Sequence, residues 1–428
     1  MKESGIDWIG QIPEEWEVKD IKHIFEEIGS GSTPKSDNEI FYDGDINWIQ
    51  SGDLYQTDTV TSVSKTISYQ GFKSTSALKI YKHPFIALAM YGASVGNVAI
   101  SCIDACVNQA VVIMLGSSEK VGFGKYAIEA SKNNLIFSAQ GGTQPNISQN
   151  LIKNWSIPQP DSSEQTKIAD FLDKKTAQLD KAKALLEEQI QKLKDYRASL
   201  IYETVTKGLD KTVPMKDSGI DWIGQVPKGW GVKAIKYIFD EIGSGSTPKS
   251  DNEIFYDGDI NWIQSGDLYQ TDTVTSVSKT ISYQGFKSTS ALKIYQPPFV
   301  ALAMYGASVG NVAVSYIDAC VNQAVVVMSG SSEKVGFGKY AIEASKNNLI
   351  FSAQGGTQPN ISQNLIKNWS IPQPKNEEQV QIVDFLDKKT VQIDKLIQIK
   401  NQQIDNINKQ RQSLIYDYVT GKRRGKEI

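Results

Sequence analysis

Histidine and cysteine are the scarcest reactive residues in the chain. Its 428 residues include two histidines, His23 and His83, and three cysteines, Cys102, Cys106 and Cys320. Three cysteines cannot build a disulfide framework, and none forms a CxxC pair. All three are expected to be small buried hydrophobes. No apolar run approaches the ~20 residues needed to span a bilayer, and the start "MKESGIDWIG" lacks the basic-then-apolar pattern of a signal peptide. The cytoplasm is the expected compartment. No GxxxxGK[ST] phosphate loop occurs, which argues against ATP binding by this chain. A net charge of -3 argues against autonomous binding to a polyanion, since phosphate neutralisation supplies most non-specific affinity. A nucleic-acid target would require partners to bring much of the positive charge.

What the chain has in abundance is repetition. Residues 27–81 and 241–295 are identical, letter for letter, and Trp8, Thr33 and Asp53 match Trp222, Thr247 and Asp267 at the same offset of 214. The chain is therefore two copies of a half-length unit joined end to end. Between 27 and 160 only seven positions differ: Lys82/Gln296, His83/Pro297, Ile86/Val300, Ile100/Val314, Cys102/Tyr316, Ile113/Val327 and Leu115/Ser329. From 161 onward 32 of 54 aligned positions differ. Each copy thus has a preserved globular part and a changed tail.

The globular part has strand character. "PFIALAMYGASVGNVAI" and "ACVNQAVVIML" are apolar or β-branched runs broken by Gly and Asn, and "DGDINWIQSGDL" places turn residues around a short apolar segment. One helix is expected at "GFGKYAIEASKNNLIFSA", anchored by Tyr126, Ile128, Leu135 and Ile136. In the tail, Leu172, Leu179, Leu186, Leu193 and Leu200 recur every seventh residue, as in a coiled-coil seam. The second copy has Leu386, Ile393, Lys400, Ile407 and Leu414. Both tails should be helices of about 40 residues, ~60 Å long at 1.5 Å per residue. Antiparallel pairing sets Leu172 near Leu414 and Leu193 near Ile393. It also makes Lys400 a lone charge in the seam, which is either answered by Glu187 or Glu188 or carried to the surface by a snorkelling side chain.

Duplication also filters the chemistry, because a shared site must use residues present in both copies. His23 becomes Tyr237 and His83 becomes Pro297. Ser-His-Asp and Cys-His machinery are thereby removed from each half, and no zinc set remains. "QPPF" at 296–299 is similar to an amino-methyltransferase motif, but the first copy reads "KHPF" and no GxGxxG follows a strand. It reads better as the turn before a strand. What both copies keep is a set of polar, Gly-containing stretches: "GSGSTPK", "WIQSGDLYQ", "MYGASVGN", "VNQA" and "GGTQPNIS". Their Asn, Gln, Ser, Thr and Tyr side chains suit hydrogen bonding to base edges and phosphates better than acid-base work.

In this order, occurring twice with a long helix after each, these blocks resemble the DNA-specificity (S) subunit of Type I restriction-modification enzymes. The likeness covers essentially the whole chain, including the opening "SGIDWIGQIPEEWEVK" and the helix starts "EQTKIADFLDKKTAQLDK" and "EQVQIVDFLDKKTVQIDK". It implies an α+β protein with two near-identical, mainly β target-recognition domains, 1–160 and 214–374. Two long antiparallel coiled-coil helices, 161–213 and 375–428, would separate them with pseudo-two-fold symmetry. It implies a bipartite target in double-stranded DNA, and the near-identity of the domains makes that target a near-palindrome. It implies no catalytic residue, metal or cofactor on this chain. Two methyltransferase subunits would use S-adenosylmethionine to methylate adenine N6, and two motor-nuclease subunits, where present, would use ATP and Mg. No membrane is involved. The alternatives are a fused DNA methyltransferase or nuclease, and a coiled-coil adaptor without DNA function.

The candidate DNA-contact residues in the first copy are Ser32, Thr33, Lys35, Tyr55, Gln56, Lys65, Tyr69, Gln70, Lys73, Tyr91, Asn97, Thr143, Gln144 and Asn146. In the second they are Ser246, Thr247, Lys249, Tyr269, Gln270, Lys279, Tyr283, Gln284, Lys287, Tyr305, Asn311, Thr357, Gln358 and Asn360. "GSTPK", "MYGASVGN" and "GTQPNIS" are assigned to backbone contacts and scaffold, and 55–75 to base reading.

Overall fold

A computed structural model describes residues 1–139, 145–353 and 360–423. The chain divides into two units, Met1–Leu186 with Asn401–Ile428, and Glu187–Lys400.

The first unit opens with a short hairpin, β1 (Lys2–Glu3) and β2 (Gln11–Ile12), followed by β3 (Glu17–Asp20) and β4 (Glu27–Ser30). Next come β5 (Tyr42–Ile49), β6 (Thr59–Val60), β7 (Thr66–Ile67) and a one-turn helix, α1 (Tyr69–Lys73). The apolar runs supply β8 (Phe85–Ala89), β9 (Val98–Ser101), β10 (Cys106–Val107) and β11 (Val111–Leu115). Two sheets result, a five-stranded one in the order β4-β11-β8-β9-β6 and a three-stranded one in the order β10-β5-β7.

The five-stranded sheet is covered on both faces, which is why "FIALA" and "VVIM" are unbroken apolar runs rather than alternating ones. Because side chains alternate across a strand, Ile86 and Leu88 join one core and Phe85, Ala87 and Ala89 another. The first core is completed by α2 (Ser118–Ala130) through Val121, Phe123, Tyr126 and Ala127. It also receives Ile168 and Leu172 of the central helix, Ser162–Lys207, and Ile415, Tyr418 and Val419 of the C-terminal helix, Asn376–Val419. The two helices run antiparallel there: the Phe171 and Tyr418 rings lie 4.6 Å apart, and Asp180 lies 3.6 Å from Arg411. The second unit repeats these sheets 214 residues on, with Ile201, Val205, Ile382 and Leu386 in the matching core.

The single helix expected from 122 to 139 is two helices, α2 and α3 (Lys132–Ser138). Ser131 breaks it: its hydroxyl donates to the Ile128 carbonyl and accepts from the Trp155 indole, so the side chain competes with the helix ladder. The unit closes with α4 (Gln149–Lys153) and β12 (Ser156–Gln159), which pairs with β3. A second correction concerns Cys102, which is exposed, whereas Cys106 and Cys320 are buried as expected. Cys102 directly follows the last residue of β9, where the strand leaves the sheet, and its counterpart is the exposed Tyr316. A third concerns the seam. Lys400 donates to the exposed Gln189 side chain at 2.5 Å, and Glu188 pairs with Lys192 at 2.6 Å. "KHPF" and "QPPF" are the turns before the strands Phe85–Ala89 and Phe299–Ala303, as expected. Among the described residues no helix is long and apolar enough to cross a membrane.

Candidate nucleic-acid interface

Strand direction alone gathers the repeated blocks. β4 and β8 are both antiparallel to β11, so Ser30 and Ala89 finish at the same end of the sheet, where Val111 begins. β9 is antiparallel to β8 and starts at that end, and β6 runs parallel to β9. "GSTPK" therefore leaves β4, "MYGASVGN" joins β8 to β9, "VNQA" precedes β11 and "SGDLYQ" precedes β6, all at one end. The Ile147 amide donates to the Met90 carbonyl and brings "PNIS" to the same place. The seven positions that differ between the copies avoid it. Lys82, His83, Cys102 and Leu115 lie at the opposite end of these strands, and Ile86, Ile100 and Ile113 lie within them.

Within the loop end, contacts fix several candidates. Thr33 donates to the Gln109 side chain, and Thr247 donates to Gln323 at 2.5 Å. The Lys132 ammonium donates to the Asn97 carbonyl oxygen at 2.6 Å, and Lys346 does the same to Asn311 at 2.7 Å. A lysine only donates, so this contact fixes the amide orientation and leaves the Asn97 NH2 to serve as the donor. Burial holds Lys132 and Lys346 below the usual lysine range, with Glu129 and Glu343 opposing. Tyr91 and Tyr305 are half-buried, and burial pushes their phenols up. Gln56 and Gln270 follow the turn after "SGDL" with φ of 54°, a left-handed backbone uncommon outside glycine. Gln56 and Asn97 share a cleft of about 800 Å³ with Thr57, Lys132, Asn133 and Gln412.

A second group sits on α1. Ser68 caps it by accepting from the Gly71 amide, and Gly71 lies so close to the Phe41 carbonyl that a Cβ there would come within 2.2 Å. This close seat presents Tyr69, Gln70 and Lys73 to solvent; Tyr69 is 68% exposed, and the Lys73 ammonium lies over the Tyr69 and Phe72 rings at 5.5 and 5.6 Å. Tyr283, Gln284 and Lys287 reproduce it. The "GSTPK" loop is tied to the neighbouring small sheet, since Tyr42 donates to the Pro34 carbonyl and the Trp48 indole to that of Ser32. The Trp262 indole donates to Ser246 in the same way. Lys35, Tyr55, Lys65 and Asn146 are exposed, as are Lys249, Tyr269, Lys279 and Asn360. Thr143, Gln144, Thr357 and Gln358 lie outside the described residues.

The candidates thus form two patches, the loop end and the α1 platform. Two pairs were not singled out from the sequence. Gln109 and Gln323 stood only as letters of the "VNQA" block, and Lys132 and Lys346 carried no signal, because their role arises from packing against the β8–β9 loop. Near the far end of the sheet, Lys82 and His83 hold the Asp104 carboxyl well below the usual range. That cluster has no equivalent at Gln296 and Pro297. Among the described residues no group of three or more His, Cys, Asp or Glu side chains could hold a metal ion. The arrangement offers hydrogen-bond donors, ammonium groups and exposed aromatic rings.

The family profile described as Type I restriction modification DNA specificity domain matches this chain twice, over residues 13–194 and 227–409. The Type I restriction enzyme MjaIX specificity subunit of Methanocaldococcus jannaschii is 26% identical over 441 aligned positions, covering 98% of this chain and 96% of the relative. Among solved structures, a chain from work on complex assembly and conformational transition of the type I R-M system superposes with a TM-score of 0.73 at 16% identity. The HsdS subunit from Thermoanaerobacter tengcongensis gives 0.50 at 16% identity. Each covers 96% of this chain and is itself 98% covered. These two likenesses concern the fold.

Proposed function

Because the chain belongs to the Type I restriction-modification DNA specificity family, we propose that it reads a bipartite, near-palindromic DNA target and carries methyltransferase subunits to it. It is a specificity subunit, the non-catalytic targeting component of such a system. The observation that carries the reading is the placement of identity and difference: both copies keep the same loops at one end of the sheet, and their seven differences lie elsewhere. Two surfaces with the same donors in the same geometry read the same base edges. The donors at Asn97 and Gln109 suit acceptors on phosphates and sugars. The α1 platform, with a ring, an amide and an ammonium, suits base and backbone contacts together. Partner docking falls to the helices, whose outward faces are exposed and carry Lys174, Lys175, Gln191 and Lys192. Where the system also restricts, motor-nuclease subunits join the same assembly.

Coexpression with the cognate methyltransferase, followed by mapping of methylated adenines, tests the reading. The expected result is a motif of two inverted, matching half-sites around an unread spacer. Unrelated half-sites would sink the near-palindrome, and absence of any sequence motif would sink DNA targeting.

A further inference from the structure

Each unit holds an ionic cluster that the DNA-contact surfaces do not use. In the first, Arg411 of the C-terminal helix meets three carboxylates from three elements. One terminal nitrogen donates to Glu129 of α2, the other to Asp58 at 2.8 and 3.0 Å, and Nε lies 3.6 Å from Asp180 of the central helix. Lys125, with its side chain 2% exposed, lies 2.7 Å from Asp58 and 2.8 Å from Glu129. In the second unit Arg197 meets Asp272 at 2.6 Å, Asp394 at 3.3 Å and Glu343, and Lys339 lies 2.9 and 2.7 Å from Asp272 and Glu343. The match is one for one at the offset of 214. The tails that changed at 32 of 54 positions kept both the arginine and its aspartate.

The location gives the cluster its meaning. Asp58 stands two residues after Gln56, and its carbonyl accepts from Ile100 of β9. Glu129 lies three residues before Lys132, across the break at Ser131, and Lys132 is the residue that orients Asn97. Gln56, Asp58, Asn97, Glu129, Asp180 and Arg411 all line the same cleft. The apolar contact between helices and domain is non-directional and tolerates small slips. A planar guanidinium that donates through both terminal nitrogens in fixed directions, with a third carboxylate beside its Nε, does not.

We infer that Arg411 and Arg197 are positioning residues, each fixing the angle at which the loop end of its unit is carried on the long helices, and hence the half-site spacing that the chain accepts. This rests on the specificity reading above. The test uses the full chain assembled with its methyltransferase and a DNA library whose half-sites are separated by different numbers of base pairs. Variants are R197Q/R411Q and R197K/R411K, the lysine pair preserving charge but reaching fewer carboxylates.

The expected result is that wild type strongly favours one spacing, and that in the glutamine variant the preference over neighbouring spacings falls by about tenfold, as expected when a fixed geometry loosens. Half-site sequence stays the same, and the lysine variant is intermediate. An unchanged spacing profile, or an equal loss at every spacing, would overturn the inference, because a merely structural arginine would lower all spacings together. If the glutamine variant fails to fold, the lysine variant decides by the same measure. A wild-type complex that methylates no bipartite site would overturn the specificity reading itself.

Discussion

Lys73 and Asp58 show two ways in which a charge acts in this chain. Lys73 and Lys287 are exposed, each over two aromatic rings, of which Phe72 and Phe286 touch a core from outside it. Lys73→Ala with Lys287→Ala is expected to leave the thermal midpoint in place, weaken DNA binding by the assembled complex and flatten its dependence on salt. Binding isotherms at low and high salt decide this; identical curves would remove these lysines from the interface. Asp58 is different. Burial alone would push its carboxyl up, but Lys125 and Arg411 outweigh burial and hold it below the usual range. Asp272 is held down in the same way by Lys339 and Arg197. A depressed pKa contributes stability that is present above the unfolded value, about 4, and lost as pH falls through the folded value. The D58N/D272N variant should therefore unfold at lower urea than wild type at neutral pH, and the gap should narrow near pH 3. Neither aspartate was visible as special in the sequence, because "YQTDTV" looks like an ordinary turn and its partners lie far along the chain.

At the scale of elements, period and composition were good guides where one force dominated. The heptad leucines gave the two long helices, whose observed lengths are 46 and 44 residues. The apolar runs gave the central strands. The seam is uneven, however. Leu172 and Leu386 are fully buried, Ile393 nearly so, and the other seam positions are half-buried. The burial comes where the domain cores cover the helix ends, which no heptad pattern reports. Leu172→Ala should accordingly destabilise by about 2–5 kcal/mol, the range for emptying a closed apolar site. Leu179→Ala should cost clearly less, and denaturant unfolding of both variants measures the difference. The break at Ser131 was illegible for a related reason. Its cause is an indole donor from Trp155, 24 residues away.

For the whole molecule, the repeat was the most legible feature, and it carried the fold class and the family together. Charge is the whole-molecule quantity with the plainest consequence. With 48 acidic against 45 basic side chains, the chain lacks the field that holds non-specific DNA. The chain alone should show weak retention of a target duplex. Adding methyltransferase subunits should raise retention steeply, and gel-shift titration of the two states checks this.

The three isoleucine-to-valine differences have a further consequence, for folding. Ile86 pairs with Ile100 in the first unit and Val300 with Val314 in the second, while Ile113 and Val327 lie one strand away and face the other core, beside Ala87 and Ala301. Two newly made sheets of the same register would otherwise offer each strand an equally good place in the wrong half of the chain. A strand that crossed over would meet a neighbour one methyl group too small or too large. At about 0.5–1.5 kcal/mol per Ile/Val mismatch, the cost is large enough to sort like with like. The substitutions that look most conservative would then be the ones that keep two copies of one text from being misread as each other.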